Sequence, residues 1–217
     1  MEHFHFDATN TFCISLSDAD ARWEKMMRRF ANLHLDVSRW QAARPADVID
    51  RFYENLNPFQ KACAQSHLNI WRFLACSLDY ALILEDDACF DRKWREKLDR
   101  FLIEVKDPDW DAIFLNASKP LPIIDRWIRV EEQYLAGGYI LSNRGVKKLL
   151  AKFSGCFASA DWMTSRLQLE QHCYSSFPWL IIQEGKESTI CGEVEADHAK
   201  VLRCLKFVNY GLENYDI

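Results

Sequence analysis

Glu85, Asp86 and Asp87 stand directly after the apolar run Ala81-Leu82-Ile83-Leu84. Three adjacent carboxylates repel one another unless water or a cation neutralises them. Side chains alternate along an extended strand, so Glu85 and Asp87 are expected on one face and Asp86 on the other. A hard divalent cation, Mn2+ or Mg2+, suits such an oxygen pair and completes its shell with water and phosphate oxygens. The acids therefore imply a diphosphate ligand. An apolar strand ending in acids also imitates the Walker B strand of ATPases, but that reading needs a GxxxxGK[ST] loop and the chain has none.

Cys63 and His67 lie one helical turn apart and could share a metal, but two ligands with no third nearby more often mean simple packing. The eight cysteines include no CxxC pair, which excludes a zinc ribbon. Several fall in apolar segments and read as reduced thiols.

The elements that must position these groups alternate. Thr11-Phe12-Cys13-Ile14-Ser15-Leu16 reads as a strand, with Ser17-Asp18 capping a helix whose apolar face carries Trp23, Met26, Met27, Phe30 and Leu33, and whose other positions carry arginine and lysine. An irregular stretch holding Pro45 and Pro58 precedes an amphipathic helix marked by Ala64, Leu68, Trp71, Leu74 and Ala75. That helix feeds the acidic strand. Trp94, Leu98, Phe101, Leu102 and Val105 mark a third helix, ended by Asp107-Pro108-Asp109. Asp111 to Asn116 and Tyr139 to Leu141 read as strands, the latter followed by a Ser142-Asn143 cap and a helix carrying Val146, Leu149, Leu150 and Phe153. Such alternation argues for one three-layer α/β domain over residues 1–217, built on a mostly parallel sheet.

Composition bounds the partners. The chain has 217 residues, 49% hydrophobic and 27% charged, with a net charge of -5 that excludes a general nucleic-acid or anionic-membrane binder. GxGxxG is absent, and no apolar stretch approaches the length of a membrane span. The first residues lack the basic and apolar regions of a secretory signal, so a cytoplasmic location is expected.

Several blocks in order carry a family resemblance. Ala62-Cys63-Ala64-Gln65-Ser66-His67-Leu68-Asn69-Ile70-Trp71, followed by Leu84-Glu85-Asp86-Asp87, resembles glycosyltransferase family 25, whose members show a GC-x-x-SH-x-x-x-W helix shortly before a strand ending in LEDD. Ile14-Ser15-Leu16 with Arg22 is similar to the family's opening strand and arginine, and Gly138 to Leu150 is similar to its aYliS-x-x-GAkkLL block. Asp161-Trp162-Met163 and Pro178-x-x-Ile181-x-Gln183 complete a likeness running from about residue 12 to 190, with 191–217 as a tail. Ala62 and Val146 depart from the family's glycine and alanine, and Ser188-Thr189 stands where serine-aspartate is expected.

The resemblance implies a GT-A (Rossmann-like nucleotide-diphospho-sugar transferase) fold, a UDP-hexose donor, a glycan or glycosylated acceptor, and Mn2+ or Mg2+. On that reading Asp87 and Glu85 are metal ligands, with His198 either a third ligand or a surface histidine. Ser15, Leu16, Arg22, Ser66, His67, Glu85 and Asp86 are donor-binding candidates. Ser66 and His67 cannot form a nucleophile-base pair, because adjacent helical residues point about 100° apart. Asp161 is the candidate general base of an inverting displacement, its other reading being a helix N-cap. Trp162 and Trp179 are candidate sugar-stacking rings. The competing readings are a sugar-nucleotide-binding module without turnover and a metal-dependent phosphohydrolase.

Overall fold

The computed structural model describes residues 3–153, 155–184 and 194–217, with backbone alone over 194–200. In chain order the elements are β1 (Thr11–Ser15), α1 (Asp20–Asn32), β2 (Ser38–Gln41), α2 (Pro58–Ser77), β3 (Tyr80–Glu85), β4 (Ala88–Phe90), α3 (Trp94–Glu104) and β5 (Ala112–Phe114). There follow β6 (Trp127–Arg129), β7 (Gly138–Ser142), α4 (Asn143–Lys152), α5 (Ala160–Leu167), β8 (Cys173–Ser176), β9 (Ile181–Gln183) and α6 (Val194–Phe207).

Seven strands form one sheet in the order β2-β1-β3-β7-β5-β8-β6, and β4 pairs with β9 in a separate ribbon. Strands β2, β1, β3, β5 and β8 run one way, while β7 is antiparallel to both its neighbours and β6 is antiparallel to β8. The sheet is thus mostly parallel in strand direction, as the sequence predicts, with β7 and β6 as its antiparallel members. Strand β7 follows β6 through residues 130–137, enters between β3 and β5, and needs no crossover helix to reach an antiparallel register.

Alternation along the strands divides the core. Phe12, Ile14, Ala81, Ile83, Phe114, Tyr139 and Leu141 face a cluster completed by α2, α4 and α5. Cys13, Leu82, Leu84, Ile113 and Ile140 face the other, which holds Met26 and Phe30 of α1 and Leu98 and Phe101 of α3. This is the expected three-layer arrangement.

The Ser142 hydroxyl accepts from the Gly145 N–H at 3.0 Å and caps α4. Elsewhere the structure differs. Helix α1 begins at Asp20 behind Ala19 with no side-chain cap, so Ser17 and Asp18 lie outside it, and Asp18 pairs with Arg44 at 2.6 Å instead. Pro58 is the first residue of α2, where its missing N–H costs nothing, and Asn57 and Gln60 form a reciprocal capping box ahead of the predicted start. Arg29, on the charged side of the expected α1 pattern, is only 5% exposed and joins Glu184, the Ala88 carbonyl and the Asp216 carbonyl. The tail, residues 191–217, contains α6, whose Leu205 is buried.

Candidate functional site

Strand β3 carries its apolar side chains through the middle of the sheet and ends at Glu85, after which Asp86 and Asp87 turn the chain into β4. The parallel neighbour β1 ends beside it, with Ile14 opposite Glu85. The acids therefore stand at the carboxyl edge of a parallel pair, where open α/β sheets bind ligands.

The alternation expected of the three acids is present. Gln183 Nε2 donates to Glu85 Oε2 at 2.9 Å and lies 3.3 Å from Asp87 Oδ1, so both carboxylates converge on one amide. Asp86 turns the other way, pairs with Arg22 and accepts from the Ser15 hydroxyl. Burial and the charge of Glu85 push Asp87 up to about 7, and burial raises Asp86 against the opposing pull of Arg22. Two oxygen donors crowded around a single N–H group form a place for positive charge. Their donor chemistry fits a hard divalent cation held by Glu85 and Asp87.

Gln183 gained no role from sequence reasoning. The ribbon places it: Gln183 of β9 sits opposite Ala88 of β4, one residue beyond the acids. Asn116 Nδ2 donates to Gln183 Oε1 at 3.5 Å and fixes which way that amide points, while Asn116 Oδ1 receives the Gly138 N–H at 3.2 Å. Gly137 leaves the necessary room, since a Cβ there would lie 2.6 Å from the Gln183 side chain.

On the other side of Glu85, His67 is fully buried in α2, with Nε2 3.2 Å from Glu85 Oε1 and Nδ1 2.8 Å from the Tyr139 hydroxyl. Trp71 Nε1–H donates to the same hydroxyl at 2.9 Å. The assignment that satisfies every group has Tyr139 O–H donating to Nδ1 and Nε2–H donating to the carboxylate. His67 thus orients Glu85 from below. Cys63 lies one turn earlier, its Sγ 3.9 Å from Glu85 Oε1, so Glu85 supplies the third group that sequence alone did not place beside Cys63 and His67.

The remaining candidates separate. Ser66 is buried, its hydroxyl donating to the Ala62 carbonyl and accepting from the Ala43 N–H, which spends it on the loop after β2. Ser15 and Leu16 close β1 next to the acids, and Arg39, which sequence reasoning passed over, reaches Ser15 Oγ at 3.4 Å and stacks over Trp23 at 5.0 Å. Asp161 is the second residue of α5 and not its N-cap position, which Ser159 holds without a side-chain bond, and Asp161 Oδ1 itself accepts the Trp162 N–H of the first turn at 2.8 Å. Its charge, after those of burial and Glu85, helps raise the Cys63 thiol, which brings it to the same end of the sheet. Trp179 is corrected as a stacking ring, being 1% exposed and packed on Phe177. Trp162 remains partly open, flanked by Tyr53 and Arg166. The side chain of His198, and Ser188-Thr189 with Cys191, lie outside the described residues. Among the described residues, the cysteines at 13, 63, 76, 89, 156, 173 and 204 are free thiols.

A mixed sheet with a carboxylate pair at the carboxyl end of an inner strand places the chain in the class of α/β proteins that bind ligands at a sheet edge. Comparison with known proteins narrows that class. The family model described as glycosyltransferase family 25 (LPS biosynthesis protein) matches residues 8–121, and the chain belongs to this family. It is 30% identical to procollagen galactosyltransferase 1-B of Xenopus laevis over 64% of this chain and 27% of that protein. Lipooligosaccharide biosynthesis protein lic2B of Haemophilus influenzae is 27% identical over 90% of this chain and 85% of its own length. A glycosyltransferase 25 family member of Anopheles gambiae is 26% identical over 65% of this chain and 28% of its own length. The chain thus spans little more than a quarter of the animal relatives but most of the bacterial one. Among the described residues no helix is long and apolar enough to cross a membrane.

Proposed function

We propose that the chain is a GT-A glycosyltransferase that moves a hexose, galactose or glucose, from a UDP-sugar to a hydroxyl of a glycan or glycosylated acceptor with inversion, using Mn2+ or Mg2+. The observation that carries this reading is the convergence of Glu85 and Asp87 on Gln183 at the carboxyl edge of β3, in a chain of family 25. The names of the relatives support a galactosyl donor and, through lic2B, a lipooligosaccharide acceptor.

Glu85 and Asp87 would hold the cation, which when bound neutralises charge growing on the diphosphate leaving group. Arg22 stands next to them on Asp86 and adds positive potential along the same edge. Asp161 accepts the acceptor hydroxyl's proton while that oxygen forms its bond to the anomeric carbon and the bond to the diphosphate oxygen breaks. The electron pair of the broken bond leaves with the nucleotide.

A panel of nucleotide-sugars, screened by thermal shift with Mn2+ and with chelator, tests the donor side. Product anomericity by NMR tests inversion. A UDP-hexose should raise Tm only with the metal, and a panel in which no nucleotide-sugar does so would overturn the reading. Binding without transfer to any glycan would leave a sugar-nucleotide-binding module in its place.

A further inference from the structure

We propose that Cys63, His67 and Glu85 form a second metal site, selective for a borderline-soft dication such as Zn2+. The site does not depend on the transferase reading. Cys63 and His67 share a face of α2 because they are four residues apart, and packing of α2 over β3 and β7 brings that face onto the last residue of β3. Sγ, the imidazole nitrogen and a carboxylate oxygen all lie within 4.8 Å of one another.

Tetrahedral zinc, with bonds of about 2.3 Å to sulfur and about 2.0 Å to nitrogen and oxygen, requires donor separations of about 3.3 Å between nitrogen and oxygen and about 3.5 Å between sulfur and oxygen. The His67 to Glu85 distance of 3.2 Å meets the first, and the Cys63 to Glu85 distance of 3.9 Å is a few tenths of an ångström from the second. Small side-chain shifts close the remainder.

Chemistry separates this site from the oxygen pair. Thiolate and imidazole select zinc-like ions, whereas Mn2+ and Mg2+ prefer carboxylate and water. Glu85 presents Oε1 to Cys63 and His67 and Oε2 to Gln183 and Asp87, so one carboxylate borders both sites. One thiolate and one carboxylate neutralise a dication, and neutral imidazole adds no charge. Three protein ligands leave the fourth position open.

Binding balances as follows in protons. The Cys63 S–H proton is released to solvent as the S–metal bond forms. The proton on His67 Nε2 leaves that nitrogen, and Nδ1 takes one up to donate to the Tyr139 oxygen, which also holds the Trp71 N–H. Tyr139 thus becomes the outer partner that fixes the ligating tautomer. Cys63 and Glu85 are both partly exposed, which provides an entry path.

Co2+ added to the reduced, metal-free full chain is the spectroscopic probe. The expected result is one equivalent bound, with a thiolate-to-cobalt charge-transfer band and tetrahedral visible bands that Zn2+ displaces. Cys63→Ser should lose the thiolate band and bind at least about 10-fold more weakly, and Tyr139→Phe should keep the band with about 10-fold to 100-fold weaker affinity. A wild-type chain without the band, or the same band in Cys63→Ser, overturns the site. Alkylation read by peptide mass spectrometry needs no variant: Zn2+ should protect Cys63, and unchanged labelling of Cys63 under saturating Zn2+ would refute it.

Discussion

Gln183 and Glu85, 98 positions apart in sequence, meet at 2.9 Å, and the same Gln183 amide lies 3.3 Å from Asp87. The contact exists because β9 pairs with β4 immediately after the acidic turn. One neutral side chain thereby holds two like charges in a fixed relation at the sheet edge. Its amide occupies the position of positive charge between them.

That relation makes Asp87 the sensitive member of the pair. Asp87→Asn removes one charge but keeps shape and oxygen, so it should abolish most of the Mn2+-dependent gain in UDP affinity. Calorimetry with and without chelator measures it. An unchanged Kd would show that the acids are only a solvated turn.

Gly137 tests the same relation from the backbone side. In Gly137→Ala the new Cβ meets Gln183 Cγ and Cδ at 2.6 Å, and the glutamine, a flexible side chain, must swing away. Folding should survive with little change in Tm, while metal-dependent nucleotide affinity falls. Gly145→Ala is the contrasting case, because its Cβ would lie 2.3 Å from the Asp111 carbonyl oxygen, a backbone atom that cannot move alone. There the melting temperature itself should drop.

Tyr139→Phe deletes a buried hydroxyl that serves both His67 and Trp71. Leaving two buried groups without a partner should cost about 1 to 3 kcal/mol in denaturant unfolding. Because His67 then loses the support that orients Glu85, kcat should fall more than KM rises. A purely structural role would move stability alone.

Asp161 occupies the second position of α5 and accepts the Trp162 N–H at 2.8 Å, so Asp161→Asn, which keeps an oxygen there, should leave stability nearly unchanged while Asp161→Ala should cost about 1 kcal/mol. If Asp161 takes the acceptor's proton, both variants should lower turnover about 10²-fold to 10⁴-fold with donor affinity retained. Near-normal turnover in Asp161→Asn removes it from the chemistry.

Asp216 carries a pH signature away from the site. Burial pushes its carboxyl from 3.8 up to about 6, against the opposing pull of Arg29. The folded chain therefore holds this proton more tightly than the unfolded one, and the group's contribution to stability falls as pH rises from about 4 to about 6. Asp216→Asn keeps an acceptor for the Phe90 N–H and should flatten that slope, gaining about 1 to 2 kcal/mol relative to wild type at pH 7. Urea melts of both proteins across this range decide it, and parallel curves would reject the assignment.

Sequence alone determined what is local. An apolar run ending in three acids sets a strand and its charged edge, and helical spacing puts Cys63 and His67 on one face. The Ser142 cap is equally local. Tertiary structure alone decided what meets across long separations: that β7 enters reversed beside β3, that the ribbon delivers Gln183 between the acids, and that Glu85 completes the pair on α2. It also decided burial, sealing Trp179 in the core and leaving Trp162 partly open although both are tryptophans near family motifs. The physical reason is that periodicity and capping depend on neighbours within a turn or a strand. Strand pairing and side-chain exposure instead depend on which distant surfaces are packed together, and no short window of sequence contains that information.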